Sequence, residues 1–113
     1  MLLTVVFSFR NEEDVLEKTI SEVSDVLETN NITYELIFVN DNSTDRSLQI
    51  LKTWSGRDSR IRVINMSRRF GVSPCVMAGF RFAHGDAVIY MDTDLQDPPE
   101  LIPKMLSHWE NDA

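Results

Sequence analysis

Cysteine is almost absent from this chain of 113 residues: Cys75 stands alone. A single thiol excludes an internal disulfide and any metal site built from clustered cysteines, and it suits a reducing, cytoplasmic compartment. Long apolar runs are missing too. The longest, Met1 to Leu3 and Val5 to Phe7, fall far short of the roughly 18 residues that suggest a membrane span, and no basic stretch precedes them as in a signal peptide. The expectation is a soluble segment without a leader. Positive charge is scarce: 11 Lys plus Arg stand against 18 Asp plus Glu, a formal net charge of −7. No Lys/Arg cluster offsets that balance, which argues against nonspecific binding to nucleic acid. Repeats and low-complexity tracts are also lacking. What remains is one domain's length with 42% hydrophobic and 26% charged residues, enough to fold around a core.

Short apolar runs rich in β-branched residues alternate with longer amphipathic ones, the pattern of a βα alternation. Leu2 to Phe9 reads as the first strand. Asn11 sits where an N-cap belongs, with Glu12, Glu13 and Asp14 behind it, so a helix is predicted from about Glu12 to Asn30, its inner face Leu16, Ile20, Val23 and Leu27. Tyr34 to Asn40 is nearly continuously apolar after Glu35, as in a parallel strand covered on both faces. A turn at 41–44 leads into a helix carrying Leu48, Leu51 and Trp54, which Gly56 ends. Ile61 to Met66 is the third strand. Ser73 and Pro74 read as the N-cap and first residue of a third helix with Val76, Phe80 and Ala83 inward, closed by Gly85. Ala87 to Met91 is the fourth strand, and a last helix carries Ile102, Met105 and Trp109, with Pro103 near its first turn.

Four βα units with right-handed crossovers form an open parallel sheet with helices on both faces, and ligands bind such sheets outside the carboxyl ends of the strands, where the strand order reverses. An order of 3-2-1-4 puts that switch between strands one and four. Polar residues gather at those ends: Ser8, Arg10 and Glu12 after strand one, Asp41 after strand two, Arg68 and Arg69 after strand three, and Asp92, Asp94 and Gln96 after strand four. Asp92 and Asp94 lie two apart at the end of an extended strand, so both can turn toward one site while Thr93 points away. Hard oxygen ligands at that spacing suit Mg²⁺ or Mn²⁺, with Gln96 as a further oxygen donor. The plainer alternative is an acidic turn in which Asp97 caps the last helix. Asp41-Asn42-Ser43-Thr44 is by itself ordinary turn chemistry. Of two adjacent arginines, one at most is expected in the site. His84, His108 and Cys75 have no partners at metal or catalytic spacing and read as structural.

Taken together the segments are more specific than any one of them. Val5-Val6 through Asn11-Glu12-Glu13, Tyr34 through Asp45, Ser67-Arg68-Arg69-Phe70-Gly71, and Gly85-Asp86 through Asp92-Thr93-Asp94-Leu95-Gln96-Asp97-Pro98-Pro99-Glu100 resemble the family 2 glycosyltransferases of GT-A fold. The last segment is most similar to the branch of dolichyl-phosphate mannose synthase and the polyprenyl-phosphate glycosyltransferases. The resemblance implies that the loop after strand one and Asp41 hold the nucleoside. It implies that Asp92 lies near ribose and metal, and that Asp94 and Gln96 ligate the ion beside the diphosphate. Two departures stand out. The family's usual Pro-x-Tyr-Asn-Glu is Ser8-Phe9-Arg10-Asn11-Glu12 here, so Arg10 replaces an aromatic that would pack on the base. The usual Asp-Asp after strand two is Asn40-Asp41.

Relatives of this kind carry a second, acceptor-binding half, so residues 1–113 read as the nucleotide-sugar-binding N-terminal part, inactive alone. The resemblance implies inverting transfer from a UDP- or GDP-linked sugar to a lipid phosphate, with Mg²⁺ or Mn²⁺, Asp92 and Asp94 as the catalytic pair, and Arg68 or Arg69 assisting. The longer protein is expected at the cytoplasmic face of a membrane, with a homodimer as its expected assembly and no nucleic-acid partner. A nucleotide-binding module without turnover is the first alternative. A haloacid-dehalogenase-type phosphatase wants Thr or Val where Gln96 stands and its motif on the first strand. A receiver domain needs an acceptor Asp after the third strand.

Overall fold

A computed structural model describes residues 1–94 and 98–112, with side chains through residue 107. Four strands and four helices alternate: β1 (Leu2–Phe9), α1 (Leu16–Thr29), β2 (Thr33–Asn40), α2 (Ser47–Arg57), β3 (Ile61–Asn65), α3 (Val72–Phe82), β4 (Ala87–Asp92) and α4 (Leu101–Asp112). All strand pairs are parallel and their order is β3-β2-β1-β4, so the order reverses between β1 and β4.

The period of two in a strand sorts side chains onto two unequal faces. Leu3, Val5, Phe7 and Phe9 of β1, with Leu36 and Phe38 of β2, meet α1 through Leu16, Ile20, Val23 and Leu27, α2 through Leu51 and α4 through Ile102 and Leu106. Phe7 and Phe38, in register across β1 and β2, stack with centroids 4.6 Å apart. On the other face Val6, Ile37 and Val39 have a single helix, α3, which contributes Cys75 and Ala78.

Small residues set how α3 sits. A Cβ on Gly79 would lie 2.3 Å from Val6 Cγ1, so only glycine lets the helix approach the sheet this closely. The helix therefore buries Cys75 and Gly79, and the expected inward stripe of Val76, Phe80 and Ala83 is corrected: Phe80 is 43% exposed, and Val76 and Ala83 are half-buried. The start of α3 moves as well. Gly71, at φ 93°, precedes Val72, and Pro74 falls within the first turn, where its missing N–H costs no helical bond. The helix ends at Phe82, ahead of Gly85.

The start of α1 is corrected too. The helix begins at Leu16 rather than near Glu12, because Asn11 adopts a left-handed φ of 56° and points its amide oxygen across to the next loop. There Asn11 Oδ1 accepts from the Thr44 N–H at 2.7 Å and the Asp45 N–H at 3.2 Å. In α4 Ile102 is buried as expected and Pro103 occupies the first turn, whereas Met105 is half exposed and Leu106 takes the inner position. The Trp109 side chain lies outside the described ones. At the end of the sheet opposite the strand tips, the buried Glu35 carboxylate accepts from the Thr4 hydroxyl, the His84 N–H and Arg62, tying three elements to the α3–β4 connection.

Two glycine substitutions should have opposite signs. Gly79→Ala forces Val6 aside and should lower stability by about 1–3 kcal/mol, the usual cost of overpacking. Gly56→Ala, in α2 with nothing within 4 Å of the added carbon, should raise it by up to about 1 kcal/mol through helix propensity. Urea unfolding midpoints of the two variants against the parent chain measure both.

Candidate functional site

The carboxyl ends of β1, β2 and β4 surround a cleft of about 260 Å³. Of the candidates named from sequence, Ser8, Arg10, Glu12, Asp41, Arg69, Asp92 and Asp94 line it. Arg68 does not: its guanidinium lies 4.9 Å over the Phe70 ring on the outside of the loop. The chain bends at Ser67 and Arg68, and the two arginines lie apart. Gln96 and Asp97 lie outside the described residues, so the expected third metal ligand and helix cap belong to that stretch.

Two walls of the cleft are built by loops that bind each other. The β1–α1 loop donates three successive backbone N–H groups to the β2–α2 region: Asn11 to Ser43 Oγ at 2.9 Å, Glu12 to Ser47 Oγ at 2.9 Å and Glu13 to Asp45 Oδ2 at 3.2 Å. Asn40, which stands where relatives of the resembled family carry an aspartate, serves the frame. Its amide oxygen accepts from the Ser43 N–H and its amide nitrogen donates to Asn65 of β3.

Asp41 holds the third wall. Its carboxylate is buried and accepts from the Phe70 N–H at 2.7 Å and the Gly71 N–H at 2.9 Å, so the end of β2 fixes the turn that starts α3. Burial alone pushes this carboxyl up. The two backbone donors, the Cys75 thiol and the nearby Arg69 charge outweigh that and carry it below the ordinary aspartate value. The same contact acts in reverse on Cys75, whose thiol burial and the Asp41 charge push up to about 11. Cys75 is thus a neutral thiol in the cleft wall.

Tyr90 and Cys75 also line the cleft, and neither is a site candidate from sequence. Tyr90 donates its hydroxyl to Asp92 Oδ1 at 3.2 Å and meets the Ser8 hydroxyl at 3.0 Å, so a short polar chain steadies Asp92 across the β1–β4 switch. The period of two that groups Asp92 with the cleft also groups Tyr90, and that signal was available. Cys75 gave no such signal, since its place depends on the roll of α3. Thr93, expected to point away, is buried and its carbonyl accepts from the Thr19 hydroxyl of α1, while the residue still borders the cleft.

The cleft floor carries surplus negative charge. Burial raises the Glu12 carboxyl, and the Asp94 and Asp45 charges raise it further. A divalent cation suits that field, and Asp92 and Asp94 offer hard oxygen donors at a strand exit. Among the described residues no three His, Cys, Asp or Glu side chains converge tightly enough to hold an ion unaided. Arg10 adds a donor: among the described residues its buried Nε has no hydrogen-bond partner.

Asp41→Asn tests the third wall. Each carboxylate oxygen accepts from one N–H, and an amide sets an NH2 donor against one of those N–H groups, so stability at neutral pH should fall by about 1–3 kcal/mol. Because the folded-state pKa is depressed, the carboxylate's contribution is full above the unfolded value of about 4 and is lost as pH falls through the folded one. The variant's urea midpoint should therefore decline less steeply than the parent's between neutral and acid pH.

Comparison with known proteins places this geometry. The sequence profile described as glycosyl transferase family 2 matches residues 4–113. The chain is 42% identical over 107 residues to the uncharacterized glycosyltransferase YkcC of Bacillus subtilis (strain 168), covering 95% of this chain and 33% of that protein. It is 36% identical over 105 residues to the undecaprenyl-phosphate 4-deoxy-4-formamido-L-arabinose transferase of Edwardsiella ictaluri (strain 93-146), covering 92% and 32%. Among solved structures, the mannosyltransferase PcManGT of Pyrobaculum calidifontis, in complex with GDP-Man and Mn²⁺, shares the fold with a TM-score of 0.72 at 20% identity, over 81% of this chain and 27% of that one. The chain spans about a third of the length of the curated relatives it matches. A profile match over nearly its whole length, carried on the parallel sheet and strand-end cleft of a GT-A fold, makes this chain a member of glycosyl transferase family 2.

Proposed function

We propose that this chain forms the donor half of an inverting glycosyltransferase that moves a sugar from a nucleotide-diphosphate sugar to a polyprenyl phosphate. The observation that carries the reading is the meeting of Asp92 and Asp94 with Arg10, Glu12, Asp41 and Arg69 in one cleft at the strand-order switch. The lipid-phosphate acceptor is supported by the name of the Edwardsiella relative. The metal is supported by the Mn²⁺ of the mannosyltransferase and by the negative field around Glu12.

In this reading the nucleoside lies against Ser8, Arg10 and the Asp41 side, and the diphosphate lies toward Asp92, Asp94 and Arg69. Asp92 and Asp94, with Gln96, would hold Mg²⁺ or Mn²⁺. Bound there, the ion supplies Lewis-acid stabilisation of the charge that develops on the departing nucleotide. Arg69 adds a fixed positive charge on the same side, and Tyr90 orients Asp92 by occupying one carboxylate oxygen. An acceptor phosphate is already anionic at neutral pH, so attack on the anomeric carbon needs no general base from this half. Acceptor-binding elements belong to the greater part of the length that the relatives carry. A second reading, a nucleotide-diphosphate-binding unit without turnover, describes the chain taken alone and is favoured by that one-third coverage.

A thermal-shift panel of UDP and GDP, with and without Mn²⁺, on the parent chain and on Asp94→Ala tests the donor site. A ligand at one hundred times its Kd stabilises the folded state by about 2.7 kcal/mol. One nucleotide should raise Tm in the presence of Mn²⁺, and Asp94→Ala should abolish the rise. A shift of equal size without Mn²⁺ and in the variant would overturn the metal assignment.

A further inference from the structure

Asp92 is the last residue of β4 and stands in register with Ser8 of β1, at the strand-order switch. Two residues earlier on the same strand, Tyr90 faces the same way and lines the same cleft. The Tyr90 hydroxyl has one proton and gives it to Asp92 Oδ1 at 3.2 Å, since a carboxylate only accepts. Its 3.0 Å contact with Ser8 then runs the other way, the Ser8 hydroxyl donating to the phenol oxygen. Ser8, Tyr90 and Asp92 thus form a directed chain across β1 and β4, in which each bond polarises the next.

The backbone under this chain is held from the opposite face of the sheet. There the Thr93 carbonyl accepts from the Thr19 hydroxyl of α1, and both residues are buried. Pairing of β4 with β1 continues as far as Asp92. With its backbone held on both sides, Asp92 keeps only the freedom to turn its side chain. That side chain is exposed, and among the described residues the Tyr90 hydroxyl is the one group that donates to its carboxylate. Oδ1 is engaged, while Oδ2 makes no hydrogen bond among the described residues. A carboxylate held in this way presents one oxygen to a ligand rather than two.

We propose that Tyr90 is a positioning residue that sets the choice of ion: by engaging Asp92 Oδ1 it restricts Asp92 to one-oxygen contact with a cation, which favours Mg²⁺ or Mn²⁺ over Ca²⁺. This role rests on the donor-site reading above, in which Asp92 and Asp94 hold the ion. The two kinds of ion differ in the respect that matters here. Ca²⁺ takes about six to eight oxygens in flexible geometry and accepts both oxygens of a single carboxylate, whereas Mg²⁺ demands a near-ideal octahedron and keeps several waters. Removing the hydroxyl, as in Tyr90→Phe, frees Oδ1 and lets the carboxylate turn to two-oxygen contact. Tyr90 acts through Asp92, as groups that hold a metal ligand from behind do, and such groups weigh nearly as much in affinity as the ligands themselves.

Isothermal titration of UDP and of GDP into the 113-residue chain, once in Mn²⁺ and once in Ca²⁺, tests this on the parent and on Tyr90→Phe. The variant keeps the ring and loses only the hydroxyl, and far-UV circular dichroism checks that it folds. In the parent, the nucleotide that binds should do so at least about tenfold more tightly in Mn²⁺ than in Ca²⁺. In Tyr90→Phe its affinity in Mn²⁺ should fall by about tenfold, while its affinity in Ca²⁺ holds or rises, so that the preference is lost. Equal weakening in both ions would reveal general loosening of the cleft and overturn the proposal, as would an unchanged ratio or a parent without preference. Asp94→Ala is titrated in parallel. If it abolishes Mn²⁺-dependent binding while Tyr90→Phe leaves the ratio of the two ions unchanged, the donor site stands and the role of Tyr90 falls. If the parent binds neither nucleotide with either ion, both fall.

Discussion

The cleft depends on one buried carboxylate. Asp41 follows directly on the second strand of a parallel sheet, where the chain leaves the hydrogen-bonded ladder, and both its oxygens accept from the N–H groups of Phe70 and Gly71. Those donors belong to the turn that launches α3, so the bond joins two loops that the topology brings together but sequence keeps apart. Once the turn is fixed, Arg69 is held on the cleft side and Arg68 on the outside, and Cys75 comes to lie against the carboxylate that holds it. A charge-assisted bond in a low-dielectric wall is stronger than its neutral counterpart, and here it sets the position of residues up to Cys75 at once.

The two faces of the sheet obey different constraints, and both bear on function. On the α1 side the core is thick, built from aliphatic side chains of three helices and the Phe7–Phe38 stack. That side carries the stability. On the α3 side one helix with glycine and cysteine inward covers only the middle of the sheet. Its thinness leaves Tyr90 and Asp92 of β4 accessible at the strand-order switch, and it turns the bulky residues of α3 outward. Access to the cleft and the exposure of Phe80 thus have the same origin in the small residues of α3.

Much of this was legible in the sequence. Strand limits follow from runs of β-branched residues, and β1 from Leu2 to Phe9 has the expected bounds. βα alternation implies parallel strands but does not fix their order, and β3-β2-β1-β4 is the order supposed for an open doubly wound sheet. Helix starts were less legible, for a physical reason. Asn11 is as good a cap for the loop at Thr44 as for its own helix, and only the three-dimensional closeness of the two loops decides between them. The roll of α3 was illegible because hydrophobicity alone favours burying Phe80, whereas the close approach to Val6 requires Gly79.

The departures from the resembled family acquire a reason at this level. Where those relatives have an aspartate pair after the second strand, Asn40 keeps the half of the pair that serves the frame: an amide can accept from Ser43 and donate to Asn65 together, which a carboxylate cannot. Arg10, standing where an aromatic would pack on a base, leaves a buried Nε without a partner among the described residues. A buried donor that is unsatisfied costs about 1–3 kcal/mol, a cost that is recovered when a ligand oxygen meets it. The surplus of carboxylates around Glu12 pulls the other way, since it repels any bare diphosphate. On the proposed reading the two features are complementary: a cation offsets the carboxylates for the diphosphate, while Arg10 reaches the uncharged part of the same nucleotide. On that reading the cleft would ask for both at once, which a free phosphate or a lone nucleoside does not supply.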